Sequence, residues 1–191
     1  MKASPEAIEK LLPQTQCRQC GFAGCAEYAR AIATGEAKIN RCATGGEKAI
    51  RRIAEVIGCE ALPLDPEYGR EMPLALARID PERCIGCRIC ADRCPVAAIT
   101  GLPKKLFSVI DSDCTGCALC VAACPVDAID LYEPGRSWTE EDALRAKAAF
   151  EANEKRKKAE ATEHLARLEK AASEKKSLLS AVMARVKAEK R

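Results

Sequence analysis

The feature that most constrains this chain is a cysteine motif that occurs twice. Each copy has the spacing C-x2-C-x2-C-x3-C followed by proline, and the copies are offset by 30 residues. The first copy ends at Pro95 and the second at Pro125. The ligating positions are Cys84, Cys87, Cys90 and Cys94 in one copy and Cys114, Cys117, Cys120 and Cys124 in the other. This run is typical of chains that bind 4Fe–4S clusters.

The cysteine content as a whole favours metal binding over disulfides. The chain has 13 cysteines in 191 residues, which implies one or the other. Its first residues carry Lys2, Glu6, Glu9 and Lys10 and do not form a secretory signal peptide. The sequence contains no run of about 20 apolar residues, which is what a membrane-spanning helix requires. We therefore expect a reducing, intracellular compartment, where thiols are more often metal ligands.

A second group of cysteines near the start predicts another metal site. Cys17, Cys20, Cys25 and Cys42 have the spacing C-x2-C-x4-C-x16-C. Cys25 falls at a predicted helix N-terminus, where the dipole is expected to lower the thiol pKa. The spacing favours an iron–sulfur cluster, but a tetrahedral structural zinc or free thiols are alternatives that it leaves open.

The repeated motif also predicts which cysteines share a cluster, because its fourth cysteine ligates the other cluster. One predicted set is Cys84, Cys87, Cys90 and Cys124, and the other is Cys114, Cys117, Cys120 and Cys94. Copies this short are expected to be half-domains that share one core. The predicted apolar core consists of Ile79, Ile85, Ile89, Val96, Ile99, Val109, Ile110, Leu119, Val126 and Ile129.

The predicted fold class is α+β, in four segments. Residues 1–60 form a small helical 4Fe–4S domain, 61–77 a linker, 78–136 a two-cluster bacterial ferredoxin-like domain, and 137–191 a long charged C-terminal helix. The predicted helices of the first segment are a short one from Pro5 to about Leu12, one over Cys25–Ala33 ending near Gly35, and one over Gly46–Ile57 capped by Gly58.

The last segment is rich in Ala, Lys and Glu and lacks Gly, Pro and Cys. Ser137 with Glu140 is predicted to form its capping box. Some apolar residues follow a heptad spacing: Leu165, Leu168, Ala172, Leu179, Val182 and Val186. A solvated helix is the plainer interpretation, and a partner-binding coiled coil is the alternative.

The sequence offers no set of residues for acid–base catalysis. The only histidine, His164, lies in the charged segment, and no phosphate-binding glycine loop occurs. We predict no catalytic residues. Cys59 lies outside every motif and is expected to be a partly buried small apolar residue. Phe107, Tyr132 and Trp138 are expected to pack in the core.

The order of these motifs resembles a known family. The run Leu11-Leu12-Pro13-Gln14-Thr15-Gln16-Cys17-Arg18-Gln19-Cys20-Gly21, the run from Gly35 to Gly46 and the following ferredoxin repeat are similar to the B subunit of the Rnf (Rsx) electron-transport complex. The resemblance covers about residues 8–133. It implies that the first site binds 4Fe–4S, which gives three such clusters in all.

The resemblance also implies a function. Members are iron–sulfur subunits at the cytoplasmic face of a membrane complex that couples electron flow between a nicotinamide cofactor and ferredoxin to ion movement. The expected partners are other subunits of that complex, ferredoxin or a flavoprotein, with no nucleic acid and no small-molecule substrate. By itself the chain would be an electron carrier.

Two departures from the family leave alternatives. Family members usually begin with an apolar anchoring helix, whereas the similarity here begins almost at Met1, and the charged tail is unusual for the family. We therefore expect a cytoplasmic protein that reaches the inner membrane peripherally, through partners. A free soluble ferredoxin serving another redox enzyme is one alternative. A non-redox, metal-stabilised binding module whose tail contacts nucleic acid or anionic lipid is another.

Overall fold

The computed structural model describes residues 3–189. The chain divides into two compact units, the first ending at Glu151 and the second beginning at Ala152. The first unit combines helices with two small antiparallel sheets, and the second is helical. The α+β class predicted from the sequence is confirmed. Among the described residues, no helix is both long enough and apolar enough to cross a membrane.

Three helices build the first third of the chain: α1 (Pro5–Glu9), α2 (Cys25–Thr34) and α3 (Gly46–Ile57). Ser4 caps α1, since its side chain accepts a hydrogen bond from the Ala7 amide, and Pro5 is the first helical residue. The helix ends at Glu9, earlier than predicted. Helices α2 and α3 end, as predicted, where Gly35 and Gly58 adopt left-handed backbone.

These helices bury one apolar core around Tyr28. Ile8, Leu12, Ile50 and Ile53 contribute fully buried side chains to it. The Tyr28 hydroxyl donates to the Lys38 carbonyl oxygen at 2.9 Å and accepts from the Arg41 amide at 2.9 Å. Burial raises the pKa of Tyr28, so the hydroxyl stays protonated and holds the loop that leads to Cys42.

The cysteine repeat folds into two small sheets and two short helices. After a 3-10 turn at Pro66–Tyr68 come β1 (Leu76–Ile79), α4 (Ile89–Arg93), β2 (Ile99–Gly101), β3 (Phe107–Val109), α5 (Leu119–Ala123) and β4 (Ile129–Tyr132). Strand β1 pairs antiparallel with β4, with Leu76 opposite Tyr132. Strand β2 pairs antiparallel with β3, with Ile99 opposite Val109. The β1–β4 pair joins the segment before the first motif to the segment after the second.

The core of the repeat is smaller than predicted. Val96, Ile99 and Ile129 are buried, and Ile79 and Val109 are partly buried against them. Phe107 is buried there as well, and Tyr132 and Trp138 pack against this core, as predicted. The prediction was wrong for Ile85, which is 60% exposed, and for three other exposed residues, Ile89, Ile110 and Val126.

The physical reason for this error is that the motif loops lie at the surface of the domain, around a cysteine pocket. Ile85 and Val126 line a cysteine pocket, not the space between strands. A domain this small has too few elements to cover the outer side of each loop.

The last helix, α6, runs over Glu140–Glu189. Its capping box is formed by Thr139 and Asp142, and the prediction of Ser137 with Glu140 was wrong. The Asp142 amide donates to the Thr139 hydroxyl at 3.1 Å, and the Thr139 amide donates to the Asp142 carboxylate at 2.9 Å. Glu140 instead pairs with Arg52 at 2.8 Å. A tertiary ion pair thus takes the side chain that the sequence pattern assigned to the cap.

In the second unit the helix exposes its side chains. Leu165, Leu168, Leu179 and Val182 are more than half exposed, and Ala172 and His164 are exposed too. The side chain of Val186 and residues 190 and 191 lie outside the described part. The heptad positions that are described therefore face solvent in the single chain.

Candidate metal centres

Three pockets in the first unit are each lined by four cysteines. Their volumes are close to one another, about 310, 320 and 340 Å³ with the space open to solvent included. The first pocket is lined by Cys17, Cys20, Cys25 and Cys42, the second by Cys84, Cys87, Cys90 and Cys124, and the third by Cys94, Cys114, Cys117 and Cys120. The structure thus brings together the sets that the sequence predicts. Their service as ligands stays a prediction.

The two motif loops repeat each other in backbone conformation as well as in sequence. Left-handed residues recur at the same offset, at Gly86 and Gly116 (φ +68° and +67°), Arg88 and Ala118 (φ 70° and 57°), and Ala97 and Asp127 (φ 56° and 48°). Left-handed residues within turns make concavities of backbone N–H groups that bind anions, including iron–sulfur clusters. Each loop is therefore shaped to surround a negatively charged group.

At the glycine of each loop another segment of backbone approaches closely. A side chain at Gly86 would meet the Lys105 carbonyl oxygen, and one at Gly116 would lie 2.6 Å from the Ala75 carbonyl oxygen. Both contacts are with backbone, which cannot move aside like the end of a flexible side chain. The loops close over their pockets only because these positions lack a Cβ.

Backbone amides donate to cysteine sulfurs in all three pockets. The Ala98 amide donates to Cys94 Sγ and the Ala128 amide to Cys124 Sγ, both at 3.2 Å. In the first pocket the Gly45 amide donates to Cys42 Sγ at 3.3 Å. Such hydrogen bonds stabilise negative charge on thiolates and raise the reduction potential of a bound cluster. The donor set, with four thiols in each pocket and amides facing them, fits 4Fe–4S clusters.

The loop around Cys17 is held in place by hydrogen bonds of its own side chains. Gln14, Gln16 and Arg18 all have left-handed backbone (φ 58°, 55° and 64°). The side-chain nitrogen of Gln16 (Nε2) donates to Gln14 Oε1 at 3.1 Å, while Gln16 Oε1 accepts from the backbone amide of Cys25 at 2.9 Å. A second, weaker contact places the Thr44 hydroxyl 3.4 Å from Cys17 Sγ. These bonds fix a polar segment that is buried beside the pocket.

Several buried thiols in the pockets do not ionise readily by themselves. Burial raises the pKa of Cys25 to about 12, and it raises the pKa of Cys42 as well. Burial also raises the pKa of Cys117 to about 11 and of Cys120 to about 12. The expected lowering of the Cys25 pKa by its helix terminus is therefore wrong, because desolvation outweighs the dipole and because Gln16 already binds the Cys25 amide. A metal that binds here must displace these protons.

The thirteenth cysteine lies apart from the pockets. Cys59 is exposed, so the expectation of partial burial is wrong. It follows Gly58, where the chain leaves the apolar face of α3, and no core element covers it. Within residues 3–189, no three His, Cys, Asp or Glu side chains are arranged to hold a single metal ion.

Sequence reasoning missed the residues that connect the first pocket to the cysteine repeat. The Thr115 hydroxyl donates to the Thr15 carbonyl oxygen at 3.0 Å in a buried hydrogen bond. The Trp138 indole donates to the Pro13 carbonyl oxygen at 2.9 Å. Thr15 lines the first pocket and Thr115 the third, so a single hydrogen bond joins the walls of two cysteine pockets. No periodicity or motif marks these residues.

Two protein families match this chain. Residues 77–131 match the family described as a 4Fe-4S dicluster domain, and residues 12–43 match the family described as a putative Fe-S cluster. The first match covers the cysteine repeat, and the second covers all four cysteines of the first pocket. They support iron–sulfur over zinc at the first site.

The chain is also similar to curated proteins named as the B subunit of the ion-translocating oxidoreductase complex. It is 53% identical over 106 residues to that of Azoarcus sp. (strain BH72), which is 56% of this chain and 58% of the relative. It is 52% identical over 105 residues to that of Thiobacillus denitrificans, covering 55% and 56%. It is 54% identical over 136 residues to that of Stutzerimonas stutzeri (strain A1501), covering 70% of both chains. The chain thus spans little more than half the length of the first two relatives.

Proposed function

Because the chain belongs to the family formed by the B subunits of ion-translocating oxidoreductase complexes, we propose that it conducts electrons through three 4Fe–4S clusters. The single observation that carries this proposal is the set of three four-cysteine pockets in one compact unit. The matches to two iron–sulfur families favour clusters over structural zinc at these sites. Bound clusters supply one-electron redox chemistry.

The proposed ligands follow the pockets. Cluster 1 would be held by Cys17, Cys20, Cys25 and Cys42, cluster 2 by Cys84, Cys87, Cys90 and Cys124, and cluster 3 by Cys114, Cys117, Cys120 and Cys94. The protein surrounds each site with apolar side chains, such as Leu12 at the first, Phe107 at the second and Ile99 at the third. Excluding water in this way sets the reduction potential, together with the amide donors.

The proposed role within a complex rests on the relatives. Their name assigns them to an ion-translocating oxidoreductase complex, as its B subunit. We propose that this chain exchanges electrons with other subunits of such a complex, and with ferredoxin or a flavoprotein, so that electrons pass between a nicotinamide cofactor and ferredoxin. Attachment to the membrane would then be peripheral and through partner subunits.

The first experiment is a count of iron and acid-labile sulfide in anaerobically purified protein, with an EPR spectrum after dithionite reduction. Three clusters require about twelve of each per chain. Cys25→Ser should lower iron by about four, whereas Cys59→Ser, which changes an exposed cysteine outside the pockets, should leave iron unchanged. About eight iron with one zinc would make the first site structural. Stoichiometric zinc without iron after reconstitution would overturn electron transfer.

A further inference from the structure

One buried hydroxyl beside the first pocket has no hydrogen-bond partner. Among the described residues, three buried side-chain atoms are unpartnered: Thr15 Oγ1, Asn40 Oδ1 and Arg41 Nε. Leaving a buried polar group unpaired destabilises a fold. Of the three residues, Thr15 lines the first pocket, together with the four cysteines. A polar atom in such a place indicates a partner that the protein chain itself does not supply.

The surroundings of Thr15 prevent it from finding another partner. The residue is 1% exposed, so solvent does not reach it. Its carbonyl oxygen is held by the Thr115 hydroxyl at 3.0 Å. On either side Gln14 and Gln16 have left-handed backbone, and their side chains are hydrogen-bonded to each other. The backbone at Thr15 is therefore fixed on both sides, and its hydroxyl stays beside the pocket.

We propose that the Thr15 hydroxyl donates a hydrogen bond to a sulfur of the first cluster and so raises the reduction potential of that cluster. The inference rests on the proposed function, since the acceptor is a cluster sulfur. Reduction adds one negative charge to the cluster and makes its sulfurs stronger acceptors. The hydrogen bond is therefore stronger in the reduced state, and it favours that state.

The choice of Thr15 is specific within the first site. Thr44 also has a hydroxyl near a ligand, 3.4 Å from Cys17 Sγ, but that contact is solvent-exposed. Water can replace an exposed hydrogen bond, whereas nothing replaces a buried one. Thr15 and Thr44 therefore form a matched pair that separates a buried donor from an exposed one at the same pocket.

The test is an anaerobic redox titration of the full chain, followed by EPR. The component that belongs to the first cluster is identified as the one altered by Cys25→Ser. In Thr15→Val, which keeps the shape and removes the hydroxyl, the reduced-to-oxidised ratio at a fixed ambient potential should fall roughly three- to tenfold. Thr15→Ser should stay near wild type, and Thr44→Val should change less. Resonance Raman should show a deuterium-sensitive Fe–S band that Thr15→Val loses.

The outcomes separate this inference from the proposed function. Full iron in Thr15→Val with an unchanged potential and an unchanged deuterium effect overturns the role of Thr15 and leaves electron transfer standing. Wild-type protein that binds no iron overturns the proposed function instead. If Thr15→Val does not load its first cluster, Thr15→Ala is the second hydroxyl-free variant. Equal potentials in Thr15→Ala and Thr15→Ser would then overturn the proposal.

Discussion

At the scale of single residues, the cysteine loops depend on glycines as well as on cysteines, because a side chain at these positions would collide with backbone. Gly86 has left-handed backbone, and the Lys105 backbone lies where its side chain would be. Gly135 has a similar φ of +72°, but nothing lies within 4 Å of the position of its absent Cβ. The two glycines share one conformation and differ only in how closely the chain approaches them. Their comparison isolates the cost of that approach.

We predict that Gly86→Ala destabilises the protein more than Gly135→Ala does. The left-handed conformation alone costs alanine about 1 kcal/mol at either site. At residue 86 the displaced backbone should add about 1–3 kcal/mol. Thermal unfolding of the cluster-loaded variants under anaerobic conditions measures the difference. Equal melting temperatures for the two variants would show that the Lys105 backbone moves aside freely.

The fourth cysteine of each motif carries a second prediction at this scale. Cys94 belongs to the first motif but lines the pocket of the second, and Cys124 does the reverse. Cys94→Ser and Cys124→Ser should each lower iron by about four per chain. The cluster that survives should differ between the variants, so their EPR spectra after reduction should be complementary. Identical residual spectra would argue against crossed ligation.

At the scale of elements, the start of α6 depends on one buried carboxylate. Burial by itself raises the pKa of Asp142, but hydrogen bonds from Thr139 and the Arg136 guanidinium outweigh it and hold that pKa below its ordinary value. Arg136 lies 2.7 Å from the carboxylate, and Arg145 forms a further ion pair with it. The carboxylate therefore caps the helix and also forms ion pairs with two arginines.

This carboxylate predicts a pH dependence. A lowered pKa in the folded state means that ionised Asp142 stabilises the fold above the unfolded value of about 3.9, and that this contribution is lost as the pH falls through the folded pKa. Asp142→Asn should be less stable than wild type by about 1–2 kcal/mol at pH 7, and the gap should narrow as the pH falls below the unfolded pKa. Fluorescence of Trp138, the only tryptophan, follows local unfolding. Glu141→Gln, an exposed acid in the same turn, is the control.

Elements were predictable where local chemistry decides them. The C-terminal glycines of α2 and α3 and the proline at the start of α1 each act within one turn of their own helix, so the sequence alone places those ends. The start of α6 has two candidate caps two residues apart. The observed cap is the one whose partner, Asp142, is buried, while Glu140 pairs with Arg52, 88 residues away. Local patterns carry no information about such a partner.

At the scale of the whole molecule, polar contacts join the helical part to the cysteine repeat. Thr115 and Thr15 are 100 residues apart, and Trp138 and Pro13 are 125 apart. The cysteine sets of all three pockets followed from spacing, because ligand number and cluster geometry restrict the possible sets. The contacts between the parts did not, because a single hydrogen bond imposes no repeat on the sequence. The exposure of Ile85 was missed for a related reason, since the apolar character of a residue does not show whether it lines a pocket or packs in a core.

The charge distribution predicts how the molecule meets partners. Residues 1–138 carry 17 Lys and Arg against 18 Asp and Glu, whereas residues 139–191 carry 14 against 10. The proposed clusters with their thiolate ligands would add negative charge to the first part. Electron exchange with a basic c-type cytochrome should therefore slow as salt is added. An acidic redox protein used as the control should show the opposite trend. Electron-exchange rates that do not change with salt concentration for either protein would exclude electrostatic steering.

The antiparallel pair of β1 and β4 and the exchange of cysteines between pockets have a consequence for synthesis. While the chain emerges from the ribosome, the pocket around Cys84 lacks its fourth thiol until Cys124 has been made. The sheet edge at Leu76 likewise waits for Tyr132. On the proposed function, cluster insertion into the repeat would wait until both halves exist. A chain truncated between the motifs would present the four cysteines of the first motif to oxygen and to stray metals, without the thiols that complete their pockets.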